Sequence, residues 1–184
     1  LLARSLYYAV ERNQHIETLR RLSLLDSLTN LYNRRGFLTL AEQYISLAQR
    51  TQRNLSLVMS DVDYLKTIND NHGHAYGDEA LIRTANILRK TFRRSDIIGR
   101  LGGDEFAVLA VDVDHDGIPI LIQRLHETLE ADNQANESAP YALSFCVGYI
   151  HLSPVAHPRI EEWLNEADCM LYEQKRLRCP RQLC

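Results

Sequence analysis

Residues Arg100–Ala110 read RLGGDEFAVLA, so that Gly102 and Gly103 precede two carboxylates, Asp104 and Glu105, at the mouth of an apolar run. A second pair of acids, Asp61 and Asp63, closes another apolar run, LSLVMSDVD. Where two such strands are neighbours, their carboxylates converge at one sheet edge. Clustered carboxylates repel, and the cluster is stable mainly with a cation in it. Hard oxygen ligands of this kind suit Mg²⁺ or Mn²⁺. Glycines without a Cβ let the backbone come close to a phosphate or a nucleoside. The same letters also fit a plain Gly-Gly hairpin turn with solvated acids at its ends. The pentapeptide alone leaves both readings open.

The elements that must position these residues follow from periodicity. Residues 1–25 hold no Gly or Pro and read as a helix, with Ile16, Leu19 and Leu22 on one stripe. It is either a stem that pairs with a second copy or a helix packed on its own domain. Asp26 or Ser27 caps a second helix that runs through LTLAEQYISLAQR. Residues 55–61 form a buried strand. YLKTIND is a helical turn, NHGHAYGD a loop, and EALIRTANILRKTFRR a long amphipathic helix. DIIGRL and EFAVLAV form a hairpin across Gly102-Gly103. GIPILIQRLHETLEA is a helix with Pro119 in its first turn, ADNQANESAP a loop, YALSFCVGYIHL a strand and IEEWLNEADCMLYEQKRLR the last helix. The fold class expected is α/β (α+β): a central, mostly antiparallel sheet flanked by helices, related to the split βαβ plan.

The totals bound the function. A chain of 184 residues fits one domain with a short appendage. A net charge of -3 speaks against general nucleic-acid binding, which needs a basic face. An anionic substrate must therefore be handled locally, by metal ions and a few placed Lys and Arg. Cys146, Cys169, Cys179 and Cys184 form no CxxC pair and no zinc spacing, as expected of reduced thiols in the cytoplasm. No apolar run approaches the ~18 residues of a membrane span, so no membrane contact is expected from this stretch.

The string SDVDYLKTINDNHGHAYGDEAL, followed by RRSDIIGRLGGDEFAVL, resembles the diguanylate cyclases, the GGDEF-domain family. LLDSLTNLYNRRGF and EADCMLYEQK fit the same family, and the likeness runs from about Leu24 to Lys175. Several spaced motifs in one order are far more specific than a pentapeptide. The resemblance implies that residues 26–184 are a GGDEF domain, and that residues 1–25 end a linker from an upstream sensor region through which the whole protein could be membrane-tethered.

It also implies an activity: two GTP molecules, one on each subunit of a homodimer, become cyclic di-GMP with the help of Mg²⁺ or Mn²⁺, two ions per active site. Asp61, the backbone carbonyl of Val62 and Asp104 match the metal ligands. Asp104 also matches the acid assigned as base, and Glu105 its essential neighbour. Lys66 matches a lysine near the triphosphate, and Lys175 a phosphate-contacting lysine. Gly102 and Gly103 lie against the nucleotide. Asn69 and Asp78 match the guanine readers, with His74 alongside. A carboxylate at Asp78 can accept from guanine N1–H and the exocyclic amine, which adenine cannot satisfy. Asn and Asp are also ordinary loop caps. His72 and His74 flank Gly73, but two imidazoles alone do not make a metal site. One departure stands out: Cys179 falls where the family often has a phosphate arginine, and Arg178, one place earlier, is the candidate substitute.

Arg93-Arg94-Ser95-Asp96 contains an RxxD. With 18 Arg and 12 Asp in the chain, roughly one such match arises by chance. Its place before Gly102 matches the family's product-inhibition site, with Arg124 as the further arginine. An arginine fork suits guanine edges and phosphates, while a basic helix C-terminus is the bland alternative. Two rivals to an active cyclase remain: a catalytically silent GGDEF module that senses GTP or cyclic di-GMP, and a different nucleotidyl transferase or cyclase on a related fold.

Overall fold

The computed structural model describes residues 24–152 and 159–178, with side chains as far as Arg176 in the last helix. The stem helix lies outside these residues except at its end, where Leu24 and Leu25 are not helical; Leu25 instead bridges to Tyr32. The elements are β1 (Tyr32–Asn33), α1 (Arg34–Thr51), β2 (Leu55–Val62), α2 (Leu65–His72), α3 (His74–Thr91), β3 (Ile97–Arg100), β4 (Glu105–Val111), α4 (Gly117–Ala135), β5 (Phe145–Leu152) and α5 (Ile160–Arg178). The five strands lie in the order β1-β3-β4-β2-β5. Only the short β1–β3 pair is parallel. The expected mixed fold with a mostly antiparallel sheet is present.

The sheet is covered on both faces, which is why β2 and β4 read as continuous apolar runs rather than alternating ones. The alternation is real but sorts residues between two cores. Val58 and Val62 of β2 with Phe106, Val108 and Ala110 of β4 face α3 and α4. Leu57 and Met59 with Ala107 and Leu109 face α1 and α5. By the same period of two, Asp61 and Glu105 fall on the α5 side.

Five local expectations are corrected. The helix expected to be capped by Asp26 or Ser27 starts later, at Arg34, with the Asn33 side chain accepting from the Gly36 amide at 2.9 Å. Asp26 is spent on a turn instead: its carboxylate accepts from the Thr29 amide at 2.8 Å and the Thr29 hydroxyl at 2.7 Å. The loop expected at residues 71–78 is helix from His74 onward, because Gly73, at φ 91°, turns the chain in one residue. The helix expected to stop near Ala131 continues to Ala135, where Asn133 clamps Leu143 through its amide and carbonyl, both at 2.8 Å. That clamp also delays the start of β5 from Tyr141 to Phe145. Lastly, the Gly-Gly hairpin is wider than a two-residue turn. The Leu101 amide donates to the Glu105 carbonyl at 2.9 Å, enclosing Gly102, Gly103 and Asp104. Gly73 is the only glycine with a left-handed φ among the described residues, so neither Gly102 nor Gly103 is in the primed-turn conformation.

Candidate active site

Antiparallel pairing of β2 with β4 puts Asp61 directly opposite Glu105, and pairing with β5 puts it opposite Cys146. The Val62 amide donates to the Asp104 carbonyl at 3.1 Å, which hangs the end of the glycine loop on the end of β2. The fourth member arrives from α5. Gly148 on β5 allows that helix to lie almost on the strand, since a Cβ there would sit 2.5 Å from the Leu171 amide nitrogen. One helical turn after Leu171, Lys175 reaches in, and its Nζ lies 2.8 Å from Asp61 Oδ1. The sheet therefore brings Asp61, Asp104, Glu105 and Lys175 to one edge.

The charges there are unbalanced. Burial is the main cause holding the Asp61 carboxyl above its ordinary range. The charges of Asp104 and Glu105 add to the rise, and the Lys175 hydrogen bond only partly offsets it. Burial pushes Lys175 down, but its contact with Asp61 and the charge of Asp104 outweigh that and leave it raised. The pair is thus strong from the lysine's side and insufficient from the carboxylates' side: three acids share one ammonium.

The residues fit a hard divalent cation. Carboxylate oxygens of Asp61 and Asp104 and the Val62 carbonyl are oxygen donors, and Lys175 already sets positive charge against Asp61. Among the described residues no three His, Cys, Asp or Glu form a ready cage. Mg²⁺ does not require one, because it is usually held by one or two carboxylates together with substrate phosphates.

The glycines have separate jobs. A Cβ on Gly102 would lie 2.5 Å from Glu105 Oε2, so Gly102 makes room for the Glu105 carboxylate. A Cβ on Gly103 would meet nothing, so the space on that side of the exposed loop is open. Arg100 holds the loop: its guanidinium donates to the Gly103 carbonyl at 2.7 and 3.2 Å and to Asp26 Oδ1 at 3.2 Å. Nothing in the sequence pattern singled out Arg100, and Asp26 was read there only as a helix cap.

The base-reading candidates lie on α2 and α3. Lys66 is exposed and lies one turn before the half-buried Asn69 on α2, while His74 and Asp78 are exposed on the first five residues of α3. Asn69 and α3 meet at Gly77, where a Cβ would fall 2.0 Å from Asn69 Oδ1. With residues 71–78 read as a loop, no sequence signal pointed to that close approach. Tyr64, between the acid edge and α2, holds a left-handed φ of 57° that non-glycine residues seldom adopt. The side chain of Arg178 lies outside those described.

On the opposite side of the β3–β4 unit, Arg93, Asp96 and Arg124 line one cavity of about 410 Å³, together with Asp112, Gly117 and Ile120. Asp96 accepts from the amides of Arg93 at 2.8 Å and Val111 at 3.1 Å. Arg124 donates to the Thr91 carbonyl. The three residues are thus brought together although Arg93 and Asp96 lie in the turn between α3 and β3 and Arg124 lies on α4.

The family description "Diguanylate cyclase, GGDEF domain" matches residues 23–179. A probable diguanylate cyclase of Escherichia coli K12, DgcC, is 36% identical over 169 residues, covering 91% of this chain and 45% of the relative. The cyclic di-GMP phosphodiesterase NbdA of Pseudomonas aeruginosa is 33% identical over 159 residues, covering 86% of this chain and 20% of that protein. A solved microbial GGDEF domain, described with bis-(3′,5′)-cyclic di-GMP, is 29% identical with a TM-score of 0.71, covering 85% of this chain and 93% of that one. The chain belongs to the GGDEF diguanylate cyclase family. It spans less than half the length of the curated relatives named here. No helix among the described residues is long and apolar enough to cross a membrane.

Proposed function

We propose that this chain is an active diguanylate cyclase domain, a nucleotidyltransferase that condenses two GTP into cyclic di-GMP in the cytoplasm. The observation that carries this reading is the convergence of Asp61, Asp104, Glu105 and Lys175 at one sheet edge. Each subunit of a homodimer holds one GTP. The 3′-oxygen of one attacks the α-phosphorus of the other, its proton passes to a base, and pyrophosphate leaves; the reciprocal step closes the ring. Mg²⁺ or Mn²⁺, held by Asp61, the Val62 carbonyl and Asp104, supplies activation of the hydroxyl and charge neutralisation at the leaving group. Asp104 is the base, and Glu105, in the room that Gly102 leaves, shapes the charge beside it. Lys175 and Lys66 hold phosphate oxygens, with Arg178 adding to that grip. Asp78 accepts from guanine, Asn69 reads a second edge, and His74 lies alongside. The open space beside Gly103 lets the nucleotide come close. The main protein contribution is alignment, because attack must be in line across two subunits.

Arg93, Asp96 and Arg124 form a product site that inhibits the enzyme without competing with GTP. Their shared cavity supports this over a chance RxxD. The second reading, a silent module that only binds GTP or cyclic di-GMP, is favoured by the phosphodiesterase relative and by Cys179 at the usual arginine position. Incubating the protein with GTP and Mg²⁺ and resolving the nucleotides separates them. Cyclic di-GMP with two equivalents of pyrophosphate is the expected result, and binding without turnover refutes the cyclase.

A further inference from the structure

We infer that Tyr141 is a positioning residue for the base-reading corner, anchored by Arg83, Asp132 and Asn133; this rests on Asp78 being the guanine acceptor. The corner between α2 and α3 is weakly fixed by its own residues. Gly73 is at once the C-cap of α2 and the N-cap of α3, and no side chain caps α3. Helix starts without a cap leave amides unsatisfied and the first turn easily displaced. Asp78 stands just beyond that turn, so its placement depends on lateral contacts. One is Asn69 against Gly77. The other is Tyr141.

The Tyr141 hydroxyl donates to the Tyr76 carbonyl at 3.2 Å, and its ring meets the Tyr76 ring edge-on at 6.3 Å between centroids. Tyr76 meets His72 edge-on at 5.8 Å, which carries the contact across Gly73 to α2. Tyr141 itself lies in no helix or strand, yet it is held firmly. The Arg83 guanidinium lies 5.5 Å from its ring centroid. Arg83 Nε donates to Asp132 Oδ2 at 2.8 Å and Nη2 to Asn133 Oδ1 at 3.1 Å. Asn133 in turn clamps Leu143, two residues past Tyr141. The same segment reaches the acid edge, where the Ser144 carbonyl accepts from the Asp63 amide at 2.9 Å. Residues 141–144 therefore tie the base-reading corner to the end of β2.

The anchor is costly. Arg83 and Asp132 have side chains only 8% and 11% exposed, and Arg83 Nη1 has no partner among the described residues. A buried ion pair with an unmet donor contributes little to stability, but it fixes geometry. That is what a specificity pocket requires.

Tyr141→Phe removes the hydroxyl and keeps the ring under Arg83. Losing one hydrogen bond of ordinary strength should raise the KM for GTP about fivefold, with kcat changed less than about twofold. Affinity for the α,β-methylene analogue of GTP, which cannot turn over, should fall by the same factor, while affinity for the corresponding ATP analogue stays put. Asn133→Ala should act in the same direction by loosening the anchor. Asp78→Ser is the control. If it weakens the GTP analogue but Tyr141→Phe does not, the inference is overturned, even if Tyr141→Phe lowers the melting temperature. If Asp78→Ser itself leaves the affinity unchanged, the guanine assignment fails and takes the inference with it.

Discussion

The acid edge and the RxxD cavity differ in how their charges are met. At the edge, Asp61 faces two further carboxylates with one lysine between them, and burial and those neighbours hold its carboxyl above the ordinary range. In the cavity, Asp96 is taken up by two backbone amides and Arg124 by a backbone carbonyl. The edge is arranged with negative charge in excess, which bound divalent cations would offset. The cavity is set by its own backbone contacts, with Arg93 and Arg124 among its lining residues. A substrate site needs the first arrangement, because binding must supply the missing charge. A regulatory site can use the second, since it only recognises.

The largest expected effect breaks the edge. Asp104→Ala should lower turnover by a factor on the order of 10³ while leaving the thermal midpoint nearly unchanged, because it removes one member of a repulsive cluster. Steady-state rates and a melting curve on the same preparation check both halves. The complementary variant, Arg93→Ala, should leave basal turnover intact and shift inhibition by added cyclic di-GMP about tenfold or more to higher concentration, through lost charge-assisted hydrogen bonds. Progress curves with and without the product read this. Equal slowing of wild type and variant would reduce the RxxD to the chance match that composition already supplies.

These two regions were also unequally legible. Both acid pairs could be read from the sequence because they end or begin apolar runs, and the sheet needed only to place those strands side by side. Lys175 could not be placed that way. Its approach depends on Gly148, a contact between β5 and α5 that no local pattern encodes. Local signals misplaced the start of α1, because Asp26 and Asn33 are both good caps and a local turn with Thr29, held by a tertiary contact with Arg100, takes up Asp26. They made a loop of the start of α3, since Gly73 both ends and begins a helix. They ended α4 early, because the Asn133–Leu143 clamp is long-range. Tyr141 and Arg100, which hold the site without touching a ligand, had no sequence signal. The family likeness was legible throughout, since it rests on several spaced motifs rather than on packing.

Two smaller effects sharpen the comparison. Gly148→Ala should cost about 1–3 kcal/mol of stability, because its Cβ would press on the α5 backbone rather than on a flexible side chain. It should also cut turnover by displacing Lys175, with the RxxD cavity unaffected; urea unfolding and product binding test the two parts. The smallest effect concerns pH. Burial tends to raise Asp26, but hydrogen bonds from Thr29 and the Arg100 charge outweigh it and hold the carboxyl below its ordinary range. A depressed carboxyl stabilises the fold above its unfolded pKa, and that stability is lost as pH falls through the folded one. Asp26→Asn should therefore lose about 1 kcal/mol at neutral pH and show a flatter acid limb below about pH 4. Unfolding midpoints measured at several pH values would expose an Asp26 that contributes nothing.

The central claim is that one chain carries half of a catalytic site. Its most direct test is the specific activity with GTP and Mg²⁺ across a wide range of protein concentration, with cyclic di-GMP as the measured product. The account predicts that activity per mole of chain falls steeply on dilution and is restored on reconcentration, because a monomer holds only one GTP. Specific activity that stays flat while sedimentation shows the chain passing from dimer to monomer would contradict it.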